Sequence, residues 1–194
     1  PPGRHLMEFR ILAPTGALGA GFDVDEFRRG VALRPDVIAC DAGSTDSGPS
    51  ALGSGRPKLS DSAVARDLGH LLRARDELGV PLIIGSCGTS GRDDAVDHVA
   101  DLVRDVCRRE GLTLRLGRVY SSQPADRLGQ LWDSGRVRPL RHAPRITRGT
   151  LLDGHVVAMM GTEPIEELLR EGCDVVLAGR ASDTALFAAL PHLR

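Results

Sequence analysis

Short apolar runs alternate with amphipathic stretches along the chain. The runs fall at 9–13, 37–40, 81–84, 112–119 and 174–178, and the segments between them repeat apolar residues every three or four positions. Such alternation predicts β-α units built around a parallel sheet. In three runs, Val37-Ile38-Ala39-Cys40, Leu82-Ile83-Ile84 and Val175-Val176-Leu177-Ala178, apolar residues are consecutive, as in strands covered on both faces. The segment 62–79 gathers Val64, Leu68, Leu71, Leu72 and Leu78 on one helical side, and 93–110 does the same with Val96, Val99, Leu102, Val103 and Val106. Gly79 and Gly111 follow as left-handed stops, each directly before a strand. A third helix is expected from a Thr162 cap, Pro164 in the first turn and a Gly172 stop, with a last apolar helix over 185–190.

The predicted fold is therefore a mostly parallel, doubly wound (Rossmann-like) α/β three-layer sandwich, with 7–194 as a single domain. Residues 1–6 precede a Met7 that reads as a natural start, so they and His5 are set aside. Two stretches break the pattern. Residues 41–60 are rich in Gly, Ser and Pro without periodicity, a length at which loops are usually functional or disordered. Residues 136–154 are basic and punctuated by proline, which suits an irregular crossover or a partner surface.

Composition narrows the function classes. The 194 residues carry 25 basic and 26 acidic side chains, so no charge excess draws the chain to nucleic acid or an anionic membrane. Aromatics at 3% leave little material for base stacking. No apolar run approaches the roughly 20 residues of a membrane span. Cys40, Cys87, Cys107 and Cys173 form no C-x-x-C pair, and they read as reduced thiols of a cytoplasmic protein.

The 23 glycines matter more, because many follow predicted strands. The four loops are Pro14-Thr15-Gly16-Ala17-Leu18-Gly19-Ala20-Gly21, Asp41-Ala42-Gly43-Ser44-Thr45-Asp46, Gly85-Ser86-Cys87-Gly88-Thr89-Ser90-Gly91 and Gly179-Arg180-Ala181-Ser182-Asp183-Thr184. In a parallel sheet all four leave from the carboxyl edge, where open α/β sheets bind ligands. Glycine N–H groups, hydroxyls and helix N-termini there suit a phosphate or carboxylate. Gly16, Gly19, Gly43, Ser44, Thr45, Asp46, Gly85, Ser86, Gly88, Arg180, Ser182 and Thr184 are the candidate binding residues. The same residue types also make ordinary βα turns and caps.

Known fingerprints are missing. The glycines at 16, 19 and 21 reverse the dinucleotide spacing, no Walker sequence surrounds Lys58, the one lysine, and neither G-x-S-x-G nor H-E-x-x-H occurs. Asp41 and Asp183 are the candidate proton-transfer groups, Asp41 foremost because it directly follows a buried strand. Cys87, in a glycine loop before a helix, is a candidate nucleophile, while Cys40 and Cys107 read as core. Arg180 suits a bidentate clamp on an anion or a salt bridge to Asp183. His70 and His98 read as solvated; His155 is the histidine to test as a base.

The strings Arg10-Ile11-Leu12-Ala13-Pro14-Thr15-Gly16, Pro35-Asp36-Val37-Ile38-Ala39-Cys40-Asp41-Ala42-Gly43-Ser44-Thr45-Asp46, Leu52-Gly53-Ser54-Gly55, Pro81-Leu82-Ile83-Ile84-Gly85-Ser86 and Ala178-Gly179-Arg180-Ala181-Ser182-Asp183-Thr184 carry a resemblance. From about residue 8 onward the chain resembles the N-terminal part of the acyclic terpene utilisation (AtuA-like) family. The resemblance implies small-molecule acyl or carboxylate metabolism, with a CoA-linked substrate among the expectations, and supports Asp41, Ser44, Asp46, Arg180, Ser182 and Asp183 as site positions. Relatives continue well past residue 194, and the resemblance implies either a site completed by a missing half or a chain inactive alone.

The expected activity is an enzyme acting on an anionic acyl substrate, a carboxylate or acyl-CoA, by a lyase, hydratase or isomerase type of proton transfer. The alternative is a non-catalytic subunit or binding module completed by a partner chain, and a homo-oligomer or second subunit is the expected partner. A third reading holds Mg²⁺ through Asp41, Asp46 and Asp183; no other metal or cofactor is expected.

Overall fold

In the computed structural model, residues 8–43, 48–138, 140–142 and 144–193 are described. The strands are β1 (Ile11–Leu12), β2 (Val37–Asp41), β3 (Leu82–Gly85), β4 (Leu116–Val119) and β5 (Val175–Ala178). The helices are α1 (Val24–Ala32), α2 (Ser50–Ser54), α3 (Asp61–Leu78), α4 (Asp93–Glu110), α5 (Ala125–Asp133), α6 (Arg148–Asp153), α7 (Glu163–Arg170) and α8 (Asp183–Leu193). All strand pairs are parallel, in the order β1-β2-β3-β5-β4.

That order follows from two opposed windings. The chain steps from β1 to β2 to β3 to β4 through α1, α3 and α4, then turns back to place β5 between β3 and β4. Parallel crossovers keep one hand, so reversing direction moves the next helices to the other face. The two cores show it. Phe27 of α1, Leu68 and Leu72 of α3 and Val96 and Val103 of α4 pack on Ile38, Cys40, Leu82, Ile84, Val175 and Leu177. Ile165 of α7 and Leu186 and Ala189 of α8 pack on the intervening residues Val37, Ala39, Ile83, Val176 and Ala178. Each central strand spends alternate residues on opposite cores, which is why its apolar run is unbroken.

Helix ends match the sequence signals in most places. Ser60 caps α3 through the Ala63 N–H, and Gly79 and Gly111 close α3 and α4 with φ of 66° and 68°. Thr162 departs from expectation: it is helical at φ −78° and makes no side-chain cap, although Pro164 does lie in the first turn of α7. α1, capped by the Asp23 side chain on the Glu26 N–H, α5 and α6 are helices beyond those the periodicity singled out. The strand expected at 9–13 narrows to two residues at the sheet edge, and that at 112–119 to its last four. No helix among the described residues is long and apolar enough to cross a membrane.

The topology singles out one place. β3 sends its chain to α4 on one face, and its neighbour β5 sends its chain to α8 on the other. The carboxyl ends of two such strands mark the switch point of the sheet, the edge at which open α/β sheets bind ligands.

Candidate functional site

The loop after β3 is unusually bent. Ser86, Gly88, Thr89 and Gly91 all have positive φ, of 48°, 63°, 72° and 71°. For a β-branched residue such as Thr89 this is a genuine outlier, with a cost of order 1–3 kcal/mol that the surroundings must offset. The Ser86 and Cys87 N–H groups donate to the Gly179 and Ala178 carbonyls, so the loop doubles back over the end of β5. Gly43 makes room for it: a Cβ there would sit 2.2 Å from the Thr89 Cα. Thus the loops after β2, β3 and β5 are packed together as one unit.

Ser121, just beyond β4, ties this unit to the next strand. Its buried hydroxyl donates to the Gly91 carbonyl at 2.7 Å and accepts the Arg180 N–H at 2.8 Å. Its carbonyl accepts the Ala158 N–H, and Met160 continues the strap by donating to the Arg180 carbonyl. The loop after β4 carries no glycine, and sequence reasoning passed it over. The signal available was a Ser-Ser pair directly after a strand.

Asp41, Ser86 and Arg180 meet at the carboxyl edge. The Arg180 Nη1 donates to the Ser86 hydroxyl at 3.2 Å and to the Gly43 carbonyl at 3.4 Å. The Gly43 N–H donates to Asp41 Oδ2 at 3.1 Å, while Oδ1 is buried with no hydrogen-bond partner among the described residues. Asp41 is 7% exposed. Burial pushes its carboxyl up to about 6; the Ser86 hydroxyl and the Gly43 N–H oppose the rise, the Asp183 charge adds to it, and the Arg180 charge opposes it. Arg180 forms no ion pair with Asp183 among the described residues.

A cleft opens beside Arg180 in two chambers, with Asp41 and Ser86 behind its lining. The first, about 310 Å³, is lined by Pro49, Ala51, Leu52 and Val157, with Thr89, Ser90 and Arg180 at its inner side. The second, about 460 Å³, continues from Ala51 and Thr89 to Ser50, Ser54, Arg56 and Lys58. α2 is the partition, with Ala51 shared by both chambers, Leu52 turned to the first, and Ser50 and Ser54, four apart on one helical face, turned to the second. Arg92 anchors it by donating to the Leu52 carbonyl at 3.2 Å.

The remaining predicted residues divide. Asp183 begins α8, exposed and near enough to act on Asp41. Ser182 and Thr184 flank it with their hydroxyls 2.9 Å apart. Gly85 and Gly88 are packing positions, where a Cβ would sit 2.5 Å from the Leu186 side chain and 2.6 Å from the Ala95 Cβ. Ser44, Thr45 and Asp46 lie outside the described residues. The expectation for the 14–21 loop changes, because its N–H groups serve an internal acid: Gly19 and Gly21 donate to Asp67 Oδ2 at 2.8 and 3.0 Å. Gly16 is exposed, with open space at its Cβ position.

Cys87 is a correction. Its side chain is fully buried in the first core, and burial pushes the thiol well up, away from the thiolate a nucleophile needs. All four cysteines are free and buried. His70 is a second correction: it is half-buried, edge-on to Phe22, with Nδ1 lacking a partner among the described residues. Burial holds its imidazole below the usual value. His98 pairs with Asp61 at 2.8 Å, and His155 is exposed outside the cleft lining.

Among the described residues no group of three or more His, Cys, Asp or Glu side chains is placed to hold a metal ion. The Arg180 guanidinium beside Asp41 would also repel a divalent cation.

No curated protein and no solved structure matches the chain. One protein family does, over residues 62–192, a stretch that contains α3 except for its first residue, β3 with its loop, β5, Arg180 and Asp183. The resembling strings at 10–16, 35–46 and 52–55 lie outside it. By that match the chain belongs to the AtuA family, described as acyclic terpene utilisation family protein AtuA.

Proposed function

We propose that the protein is an enzyme that moves a proton on a small anionic acyl substrate, a carboxylate or an acyl thioester, at the β3/β5 edge. The observation that carries this reading is Asp41: a buried carboxyl raised to about 6, with one oxygen unpartnered among the described residues, beside a guanidinium. A base with a value near the working pH is mostly ionised yet still returns its proton readily. Arg180 supplies positive charge for a carboxylate or for the enolate formed when a proton leaves the carbon next to a carbonyl. The Thr89 N–H, without a partner among the described residues, is a further donor at the cleft. The resulting enolate leads to lyase, hydratase or isomerase products according to the bond that breaks next.

Proton exchange tests the reading without knowledge of the product. In D₂O, with a panel of short-chain carboxylates and acyl-CoA thioesters, the wild-type protein should exchange hydrogen for deuterium next to the carbonyl of at least one compound. Asp41→Asn should slow that exchange by about 10²-fold or more. No exchange across the panel, or unchanged exchange by the variant, removes Asp41 as the proton-transfer group.

A further inference from the structure

The proposed reading leaves open whether the anionic group held at Arg180 is a carboxylate or a phosphate, and the first chamber distinguishes them. Among the described residues Arg180 is its one charged lining residue; Pro49, Ala51, Leu52 and Val157 supply an apolar wall. The Nη1 of Arg180 is committed to Ser86 and Gly43, whereas Nε and Nη2 make no hydrogen bond or ion pair to any described residue. Those two nitrogens form the planar edge of the guanidinium that matches both oxygens of a carboxylate.

From this geometry we infer that the first chamber binds the free carboxylate of an aliphatic acid, its two oxygens on the Nε–Nη2 edge of Arg180 and its carbon chain against Leu52 and Val157. A single guanidinium balances a carboxylate's one charge, and a phosphate monoester, close to twice that charge near neutral pH, would be left in an apolar chamber half-neutralised. The chamber volume of about 310 Å³, at about 30 Å³ for each water-sized group, holds about ten non-hydrogen atoms. After the carboxylate is seated, room remains for a chain of about seven further carbons. The inference rests on Arg180 as the anion clamp of the proposed reading, but it requires nothing of Asp41.

Calorimetric titration of the full chain with acetate, butyrate, hexanoate, octanoate and dodecanoate tests it, with octyl phosphate and octanol as comparison probes. Affinity should rise about fourfold for each added methylene up to about eight carbons and then level off. Octanoate should bind more tightly than octyl phosphate or octanol. Arg180→Gln should reduce octanoate affinity by at least tenfold while leaving octanol unchanged. Val157→Trp, which fills the chamber without touching the clamp, should remove the gain from chain length and keep acetate binding; it serves alone if Arg180→Gln does not fold. Preference for octyl phosphate, affinity independent of chain length, or no binding by the series would overturn the inference. Failure of the proposed reading looks different: octanoate binds as described, and no compound exchanges its hydrogen.

Discussion

The Arg180 guanidinium, on the loop after β5, reaches across the switch between β5 and β3 to donate to the Ser86 hydroxyl at 3.2 Å. A serine hydroxyl has one proton, so accepting from Arg180 turns that proton toward its other neighbour, the Asp41 carboxyl. Ser86 is therefore the link between the acid of β2 and the cation of the β5 loop. It holds this place at φ 48°, a conformation a glycine would adopt without strain.

Removing that link should raise the titration midpoint of Asp41. In Ser86→Ala the carboxylate loses the hydrogen bond that most opposes burial, so protonation persists to a pH above the wild-type value of about 6. Carbon-detected NMR titration of the Asp41 carboxyl reads this directly. A midpoint that stays in place or falls would show that Ser86 does not support the ionised form.

Asp41 should also cost the fold stability at neutral pH. Its folded-state value lies above the ordinary 3.8, so between 3.8 and about 6 the folded state holds more protons than the unfolded chain, and stability declines as pH rises through that window. The gap corresponds to a penalty of about 3 kcal/mol above pH 6. Asp41→Asn should recover up to about that amount at pH 7, with the advantage vanishing below pH 3.8. Urea unfolding at pH 7 and pH 3.5 measures both, and a variant less stable than wild type at pH 7 contradicts the account.

The central strands were legible because a strand buried on both faces leaves a consecutive apolar string, and Asp41, Ser86 and Arg180 were legible because each stands within two positions of such a string's end. What the string cannot show is direction. Cys87 reads like its neighbours, but the doubled-back loop ties its N–H to Ala178 and turns its thiol into the core. The Gly19 and Gly21 N–H groups resemble an anion cradle until their partner, Asp67, is brought in from α3, 48 positions beyond Gly19. Strand order was equally hidden, since the insertion of β5 between β3 and β4 depends on tertiary packing and leaves no local mark.

The buried thiol makes its own prediction. With Cys87 and Cys40 fully enclosed and both raised by burial, neither should react with a water-soluble alkylating reagent in the native protein at pH 8. Mass spectrometry after brief exposure should find both unmodified, and modified once guanidinium unfolds the chain. Fast native labelling of Cys87 would restore it as a reactive residue.

Asp67 should prove structural. Its carboxylate accepts from Gly19, Gly21 and Arg66 while the residue is 1% exposed, so Asp67→Ala strands two backbone N–H groups at once. A loss of about 2–4 kcal/mol is expected, with faster hydrogen exchange over 17–22. Carboxylate binding at Arg180 should persist in the molecules that remain folded. Loss of that binding with unchanged stability would instead place the 14–21 loop in the ligand site.

Gly43→Ala tests whether the loops act as one unit. The new Cβ would sit 2.2 Å from the Thr89 Cα and 2.5 Å from its carbonyl oxygen, both backbone atoms that cannot swing aside as a side-chain tip would. The β2 and β3 loops must separate, at a cost of about 1–3 kcal/mol for overpacking. Gly43 also gives its N–H to Asp41 and its carbonyl to Arg180, so separation weakens the support of both groups. The variant should therefore combine a lower urea midpoint with a raised Asp41 titration midpoint and weaker octanoate binding. A lower urea midpoint alone would mean that the contact between Gly43 and Thr89 serves packing and leaves the acid and the cation where they were.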